Sequence, residues 1–553
     1  MTTYTQKNSF FHGLCLFLVA ASLAASGCMM KPSPLTTEEH ISRFAGDKLK
    51  LAELQNAPTG PISIHEAIAR TIKYNLDNRL ARMEAAFAMD QLGVAQLHML
   101  PRLALNAGYT FRDNESASSS ISYKRRVQTL EPSVSSKRER VAGDIGFSWS
   151  LLDFGLSYFQ AKQQADNYLI LMERRRRITN NLVKEVITAY CRLASLENIR
   201  PQVEEAMAEA EKALSSYRSL EERMTGNLPA ALEHQRSILT ILRQLRQLST
   251  DLAISRAQLG ALMNVPHGHD YSIVPLGDAD LAPPLMRAGL ESLEDIGIFY
   301  RPDLRVETYR ERIDKHEIKK EIIRLFPGVT LFASANYDSN KYLVHESWAE
   351  TGARATLDIL GLPARIKQLQ TVQTQAEVSS LRRLAITVAA IMQIDMSYYQ
   401  YQLAMAHYGD SKELNRIDTK LLDISSAAAA SRSIGRMEHI MQSVSSVSTR
   451  LDMDRHMIDV FAAWSNLYFS IGCDILEDVT GDEDLDTLTD LVERGLTRML
   501  DGELPALPEA IASSARGAGA EEQNIPPEIS GATTPPAPGI PETAAKTPEP
   551  AAE

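Results

Sequence analysis

Apolar residues recur three and four positions apart over most of this chain, and in two places that rhythm gives way to strict alternation. In residues 62–98 the positions Ile64, Ala67, Ile68, Ile72, Leu76, Leu80, Met83, Ala86 and Phe87 fall on one helical face, with Pro61 just ahead of them. The spacing predicts one helix of about 36 residues, or about 54 Å. Further helical patterns run over 157–223, interrupted only by Pro201, and over 229–263, 364–430 and 436–475. The longest approaches roughly 100 Å at the standard rise per residue. Helices of that length pack against one another as coiled coils, and Pro201 predicts a kink or a break in one of them.

The alternating stretches follow Pro101 and Pro327. In the first, Leu103, Leu105, Ala107, Tyr109 and Phe111 alternate with Arg102, Ala104, Asn106, Gly108 and Thr110. Its return strand sets Val141, Gly143, Ile145, Phe147, Trp149 and Leu151 against Ala142, Asp144, Gly146, Ser148 and Ser150. The second copy places Val329, Leu331, Ala333, Ala335 and Tyr337 opposite Thr330, Ser334 and Asn336. Its partner, 348–357, alternates poorly, with Glu350 and Arg354 on one face. Period two with one apolar face fits a half-buried sheet, and strands of about ten residues with aromatics near their ends fit a transmembrane barrel. On that reading Leu103, Leu105, Tyr109, Phe111, Phe147, Trp149, Leu331 and Tyr337 face lipid, and Asn106, Asp144, Ser334 and Asn336 face the lumen.

The two halves repeat one plan. Asp77 and Arg79 correspond to Asp303 and Arg305, Pro101 to Pro327 and Leu105 to Leu331, all at an offset of 226 residues. At Gly155 and Gly361 the offset has fallen to 206, so the first copy carries the longer connection between its strands. That connection is polar, as an outside loop should be, and holds Lys124, Arg125, Arg126, Lys137 and Arg138, which could meet lipopolysaccharide phosphates or simply keep the loop soluble. The tandem unit is helix, hairpin, long helix, turn, helix. Its period lies far outside that of solenoid repeats.

The amino terminus sets the compartment. Lys7, an apolar run over 10–20 and the small-residue stretch ending at Cys28 have the layout of an export signal, and Ala25-Ser26-Gly27-Cys28 resembles the bacterial lipobox, in which the cysteine is lipidated. An ordinary signal peptide cut near Ala25 would leave Cys28 incidental. Met29, where aspartate is absent, fits onward sorting to the outer membrane. The chain holds 58 Lys+Arg against 70 Asp+Glu, which argues against a nucleic-acid partner. Cys191 and Cys473 lie in helix-like segments; they could form a disulfide, but two thiols carry no framework pattern, and they read rather as free thiols that act as small buried hydrophobes. After Cys28 no window offers an apolar spanning helix, so a crossing of the membrane has to use strands.

Four strands cannot close a barrel, because the smallest membrane barrels have eight, so chains must pool them. The duplicated order, the proline-led LPRLALNAGYTF, the WSLLDFG and LDILGLPARIK junctions and RPDLR ahead of a helix together resemble the TolC family of outer-membrane efflux proteins. The likeness covers roughly residues 62–474. It implies a mainly α protein with a small β part, forming a homotrimer: a twelve-stranded transmembrane β-barrel, four strands per chain, continued by a long α-helical coiled-coil barrel across the periplasm. The implied partners are a periplasmic adaptor, an inner-membrane pump and outer-membrane lipid, with no cofactor. The helix-to-helix turns, with Thr225, Gly226 and Asn227 in the first half and Gly435 in the second, would form the periplasmic tip. The second turn is alanine- and serine-rich and departs from the family's compact form.

The expected layout is a signal peptide over 1–27, a lipidated linker over 28–60, efflux-protein repeats over 61–285 and 286–477, and an acidic, then proline-rich tail over 478–553 that is largely disordered. Residues 505–553 hold 10 of the chain's 25 prolines. Candidate chemistry is sparse. The arginines Arg174 to Arg177 could ring the tube and favour anionic cargo, or form a solvated helix face; His267-Gly268-His269-Asp270 has metal-like residues but is a single histidine pair in a loop. No nucleophile with its acid and base, and no phosphate loop, is present, so the chain does not read as an enzyme. The competing class is a periplasmic coiled-coil adaptor or scaffold lipoprotein, which normally has one helical hairpin flanked by β domains.

Overall fold

The computed structural model describes residues 33–128, 131–222, 228–277, 283–284, 286–430, 436–476 and 483–508. The first helix, α1 (Thr37–Leu54), occupies the segment read as a linker and is exposed along its length. It starts on a capping box: the Glu39 amide donates to the Thr36 hydroxyl, and the Thr36 amide donates to the Glu39 carboxylate.

The first half then runs α2 (Ile64–Tyr74), α3 (Leu76–Leu97), β1 (Arg102–Phe111), the two-residue strands β2 (Ala117–Ser118) and β3 (Ser133–Val134), β4 (Glu139–Ser150), α4 (Leu151–Glu222) and α5 (Leu228–Leu262). The second half runs α6 (Leu290–Tyr300), α7 (Pro302–Ile323), β5 (Gly328–Asp338), β6 (Ser347–Thr356), α8 (Leu362–Ala430) and α9 (Arg436–Ser470), followed by α10 (Leu485–Leu500). Helices α2 and α6 have 11 residues each, α3 and α7 have 22 each, and α5 and α9 have 35 each. The duplication is therefore one of architecture as well as of sequence.

Several sequence expectations change. The helix expected over 62–98 is two helices, because Asn75 leaves the helical region (φ −62°, ψ 131°) and its side-chain oxygen accepts from the amides of Asp77 and Asn78. Asparagine is a strong N-cap, and a break of one residue leaves the three-and-four spacing intact, which is why periodicity alone runs through it. Arg301 makes the same break in the second half, with Pro302 starting α7. Conversely, α4 continues through Pro201 as one helix of 72 residues, about 108 Å long. Pro201 lies on the exposed side, so its ring stays out of the packed seam. The acidic stretch is also more than a tail: α10 packs on α2 and buries Leu488, Val492, Leu496 and Met499, and the Trp464 indole donates to the Met499 carbonyl at 2.9 Å.

Around α4 the packing is that of a coiled coil. Leu196, Ile199, Val203, Ala206, Ala210 and Ala213 recur at alternating spacings of three and four and meet Ile238, Leu242 and Leu245 of α5 and Ile440 and Val447 of α9. Helix α8 packs on α9 and α7, and α7 on α4. Where β4 passes into α4, the Ser150 hydroxyl accepts from the Asp153 amide, so Leu151 begins the helix rather than ending the strand. Cys191 and Cys473 are both buried and are not joined in a disulfide.

Candidate functional site

The four long strands form one antiparallel sheet in the order β1-β4-β5-β6. Residues directly opposite in an antiparallel pair share a face. Leu103 pairs with Phe147, Leu105 with Ile145 and Tyr109 with Val141, while Trp149 pairs with Leu331 and Gly143 with Tyr337. All eight residues read as lipid-facing therefore lie on one face, joined by Ser347, Ala349, Thr351, Ala353 and Ala355 of β6. This face is open: Leu103 is 70% and Leu105 79% exposed. Trp149 is the exception, half-buried and packed edge-on against Phe154 at 5.6 Å.

The opposite face carries the polar set. Asn106 pairs with Asp144 and Asp144 with Asn336, and Gly146 sits opposite Ser334. The Asn106 amide donates to Asp144 at 3.0 Å, the Asn336 amide to the Ser334 hydroxyl at 3.0 Å, and Arg140 pairs with Asp338 at 3.5 Å. The poor alternation of β6 resolves here, since Glu350 and Arg354 share the polar face with Ser334 and Thr330, and Arg354 lies over the Phe332 ring. Strands β1 and β6 each keep one unpaired edge. An open edge with its row of free amide and carbonyl groups is a template for another strand.

Beyond β1 and β4 lies the long connection. Its segment 121–128 is a closed turn: Ile121 bridges Gln128, the Ser122 amide donates to the Val127 carbonyl at 2.9 Å and the Arg126 amide to the Ser122 carbonyl at 2.8 Å. Of its basic residues, Arg138 donates to the carbonyls of Arg112 and Asp113 at 3.3 and 2.7 Å, and the Lys137 amide donates to Asn340 of the other hairpin's loop. Lys124, Arg125 and Arg126 stand at the exposed turn.

A second constellation, not legible as a motif, joins the two halves below the sheet. Arg176 of α4 pairs with Asp474 and with Glu173 (3.3 Å), and donates to the carbonyls of Tyr300 (3.1 Å) and Gly472. The Asn180 amide donates to Asp474 at 2.7 Å, and Arg301 donates to the Ser470 carbonyl at 3.1 Å. Burial pushes the Asp474 carboxyl above the usual carboxylate range, against the opposing pull of Arg176. The arginine run is thus divided: Arg174 is exposed, Arg177 pairs with Asp303 at 2.9 Å, and Arg176 is an internal fastener rather than part of a solvated face. His267 to Asp270 is a turn in which Gly268 takes φ +80° and Arg256 holds Asp270 at 2.7 Å. Among the described residues no group of three His, Cys, Asp or Glu is placed to hold a metal ion. Cys28 and the turn residues Thr225, Gly226, Asn227 and Gly435 lie outside the described residues.

No family model matches the sequence, and no curated protein matches it. Solved structures do match. Crystal structures of CusC, described for its folding and transmembrane channel formation, superpose with a TM-score of 0.58 at 15% identity, covering 74% of this chain and 92% of that one. This chain has the TolC-type fold. The Campylobacter jejuni CmeC outer-membrane channel (TM-score 0.58, 12% identity, 78% and 89% covered) and the open state of the Neisseria gonorrhoeae MtrE outer-membrane channel (0.56, 15%, 74% and 89%) share it. At such identities the TolC-type likeness is one of fold.

Proposed function

We propose that this chain is the subunit of a trimeric outer-membrane exit duct for efflux or secretion, closed by its periplasmic end onto an adaptor and an inner-membrane pump. The observation that carries this reading is a four-stranded sheet with an exposed apolar face, a polar opposite face and two free edges, set directly on a helix of 72 residues. A single chain leaves the apolar face and both edges unsatisfied. Three chains, pairing β1 of one with β6 of the next, give twelve strands with apolar residues toward lipid, an allowed number for a closed barrel. The helices support the same joint. Leu76, Leu80, Met83 and Phe87 on α3, and Leu381, Leu384, Val388 and Met392 on α8, form exposed seams at spacings of three and four, suited to a neighbouring subunit. The test is gel migration of the membrane fraction: a trimer should survive mild detergent and fall to monomers on heating. A species that is monomeric without heating, or one released from membranes by washing, sinks the duct reading.

Two further expectations belong to it. If Cys28 is lipidated, Cys28→Ala should abolish labelling by a fatty-acid analogue while trimers persist, since closure of the barrel does not involve the anchor. Survival of the label refutes the anchor assignment. In the sequence Gly226 is the residue best suited to the positive φ that a tight helix reversal uses, and Pro229 suits the start of a returning helix. Gly226→Val should keep trimer levels near normal and weaken crosslinking to the adaptor and export. Export and crosslinking at parent levels would remove this turn from the docking tip.

A further inference from the structure

The turn at the end of the long connection carries a charge pattern unlike the rest of the chain. The protein has a net charge of −12, yet residues 121–128 hold three consecutive cations, Lys124, Arg125 and Arg126, and no acidic residue. All eight residues are exposed, and among the described residues no carboxylate pairs with Lys124 or Arg125. The turn is built, not loose: besides the two backbone hydrogen bonds that close it, the Arg125 amide meets the Ser122 hydroxyl at 3.4 Å and Gln128 donates to Ser119 at 2.9 Å. Arg126 holds φ +51°, a region that glycine or asparagine occupies at lower cost. Its guanidinium lies 6.0 Å from the centre of the Tyr123 ring, and that ring is 88% exposed.

Apolar residues flank the cations. Ile121, Tyr123 and Val127 are also largely exposed, although a merely soluble loop gains nothing from them. Cations beside an exposed aromatic ring and aliphatic side chains match a membrane interface, where phosphate meets acyl chain. At the base the connection is tied down, because Asn340 donates to the Ser135 carbonyl at 2.9 Å and accepts from the Lys137 amide at 3.2 Å. The tip is thereby projected from a fixed base.

We propose that the turn 121–128 binds phosphate groups of anionic lipid headgroups in the outer leaflet, with Lys124, Arg125 and Arg126 contacting phosphate and Tyr123 resting at the acyl boundary. Arginine offers forked donors that match phosphate oxygens, and lysine adds a point charge. This inference rests on the outer-membrane reading, which sets the connection outside the cell.

The experiment uses the full-length trimer in neutral detergent, titrated with bisphosphorylated lipid A and, separately, with its dephosphorylated form. Replacing all three cations by alanine (Lys124→Ala, Arg125→Ala, Arg126→Ala) should weaken binding of the phosphorylated lipid on the order of a hundredfold and flatten its salt dependence. The swap Lys124→Arg, Arg125→Lys, Arg126→Lys should retain most of the affinity and shows that the turn still folds. Equal affinity for the dephosphorylated lipid, unchanged affinity of the alanine variant, or full competition by inorganic phosphate at lipid-equivalent concentration overturns the proposal. In parallel, Glu115→Cys, exposed in the same connection but outside the proposed lipid contact, is treated with a membrane-impermeant maleimide on intact cells. Absence of label there removes the outside location and the proposal with it, whereas labelling without a lipid effect defeats the lipid proposal alone.

Discussion

Leu105→Lys is expected to remove most of the trimer from the outer membrane, and Asn106→Lys, one residue away, to remove little of it. Leu105 lies on the open apolar face, in a row with Ile145, Ala335 and Ala349. Aromatic residues bracket that row. Phe147 and Trp149 lie toward the helices, and Tyr109, Phe111 and Tyr337 toward the long connection, the spacing of two interfacial girdles around a bilayer midplane. A lysine at the midplane costs about 2 to 4 kcal/mol per chain, so roughly three times that in a trimer. Asn106 faces the other way and donates to Asp144 at 3.0 Å. A lysine there would keep Asp144 as a partner on the polar face, which the proposed barrel turns toward its lumen. The comparison is read as the yield of heat-dissociable trimer. Equal losses mean that neither face meets lipid, and the reverse order means that the faces are exchanged.

Period-two alternation made the strand faces readable, because a residue's face in a sheet depends only on its parity once the pairing is known. The weak alternation of β6 shows the limit of that signal: its small residues Ala349, Thr351, Ala353 and Ala355 carry little apolar contrast, so register and not composition assigns their face. Long helices were legible for a similar reason, since three-and-four spacing survives over many turns. It survives too well at Asn75, where a single capping residue ends one helix and starts the next without shifting the pattern. Pro201 misleads in the opposite sense, because a proline on the exposed face of a helix held by a packed seam does not end it.

Helix α10 was hidden by charge. Its acidic residues lie opposite Leu488, Val492, Leu496 and Met499, whose spacing is helical but short, and the fully buried partners lie hundreds of residues upstream on α2. Arg176 was hidden by its neighbours. Within a run of four arginines no local rule distinguishes the one whose guanidinium meets Asp474 and two carbonyls from the one left in solvent. Such a site is created by three segments distant in sequence, and only their packing reveals it.

That same joint should be sensitive to a single added methyl group at Gly472. Helix α9 ends there in a Schellman motif: the Gly472 amide donates to the Phe469 carbonyl at 3.1 Å and the Cys473 amide to the Tyr468 carbonyl at 3.2 Å. Gly472 takes φ +79°, and a Cβ on it would lie 2.6 Å from the Arg301 nitrogen and from the Tyr300 carbonyl carbon, and 2.7 Å from the Tyr300 oxygen. These are backbone atoms at the break between α6 and α7, so no side chain can swing aside. Gly472→Ala should therefore combine left-handed strain with displacement of that break, and cost about 3 kcal/mol or more. Gly268→Ala is the matched control, since Gly268 has φ +80° with nothing within 4 Å of its added Cβ, and strain alone predicts about 1 kcal/mol. Trimer dissociation temperature in detergent compares the two. A markedly lower temperature for Gly472→Ala alone is expected, because Arg176 and Arg301 both donate to carbonyls at this turn and lose their geometry with it. Equal temperatures for the two variants would show that the end of α9 can move away from the α6–α7 break without loss.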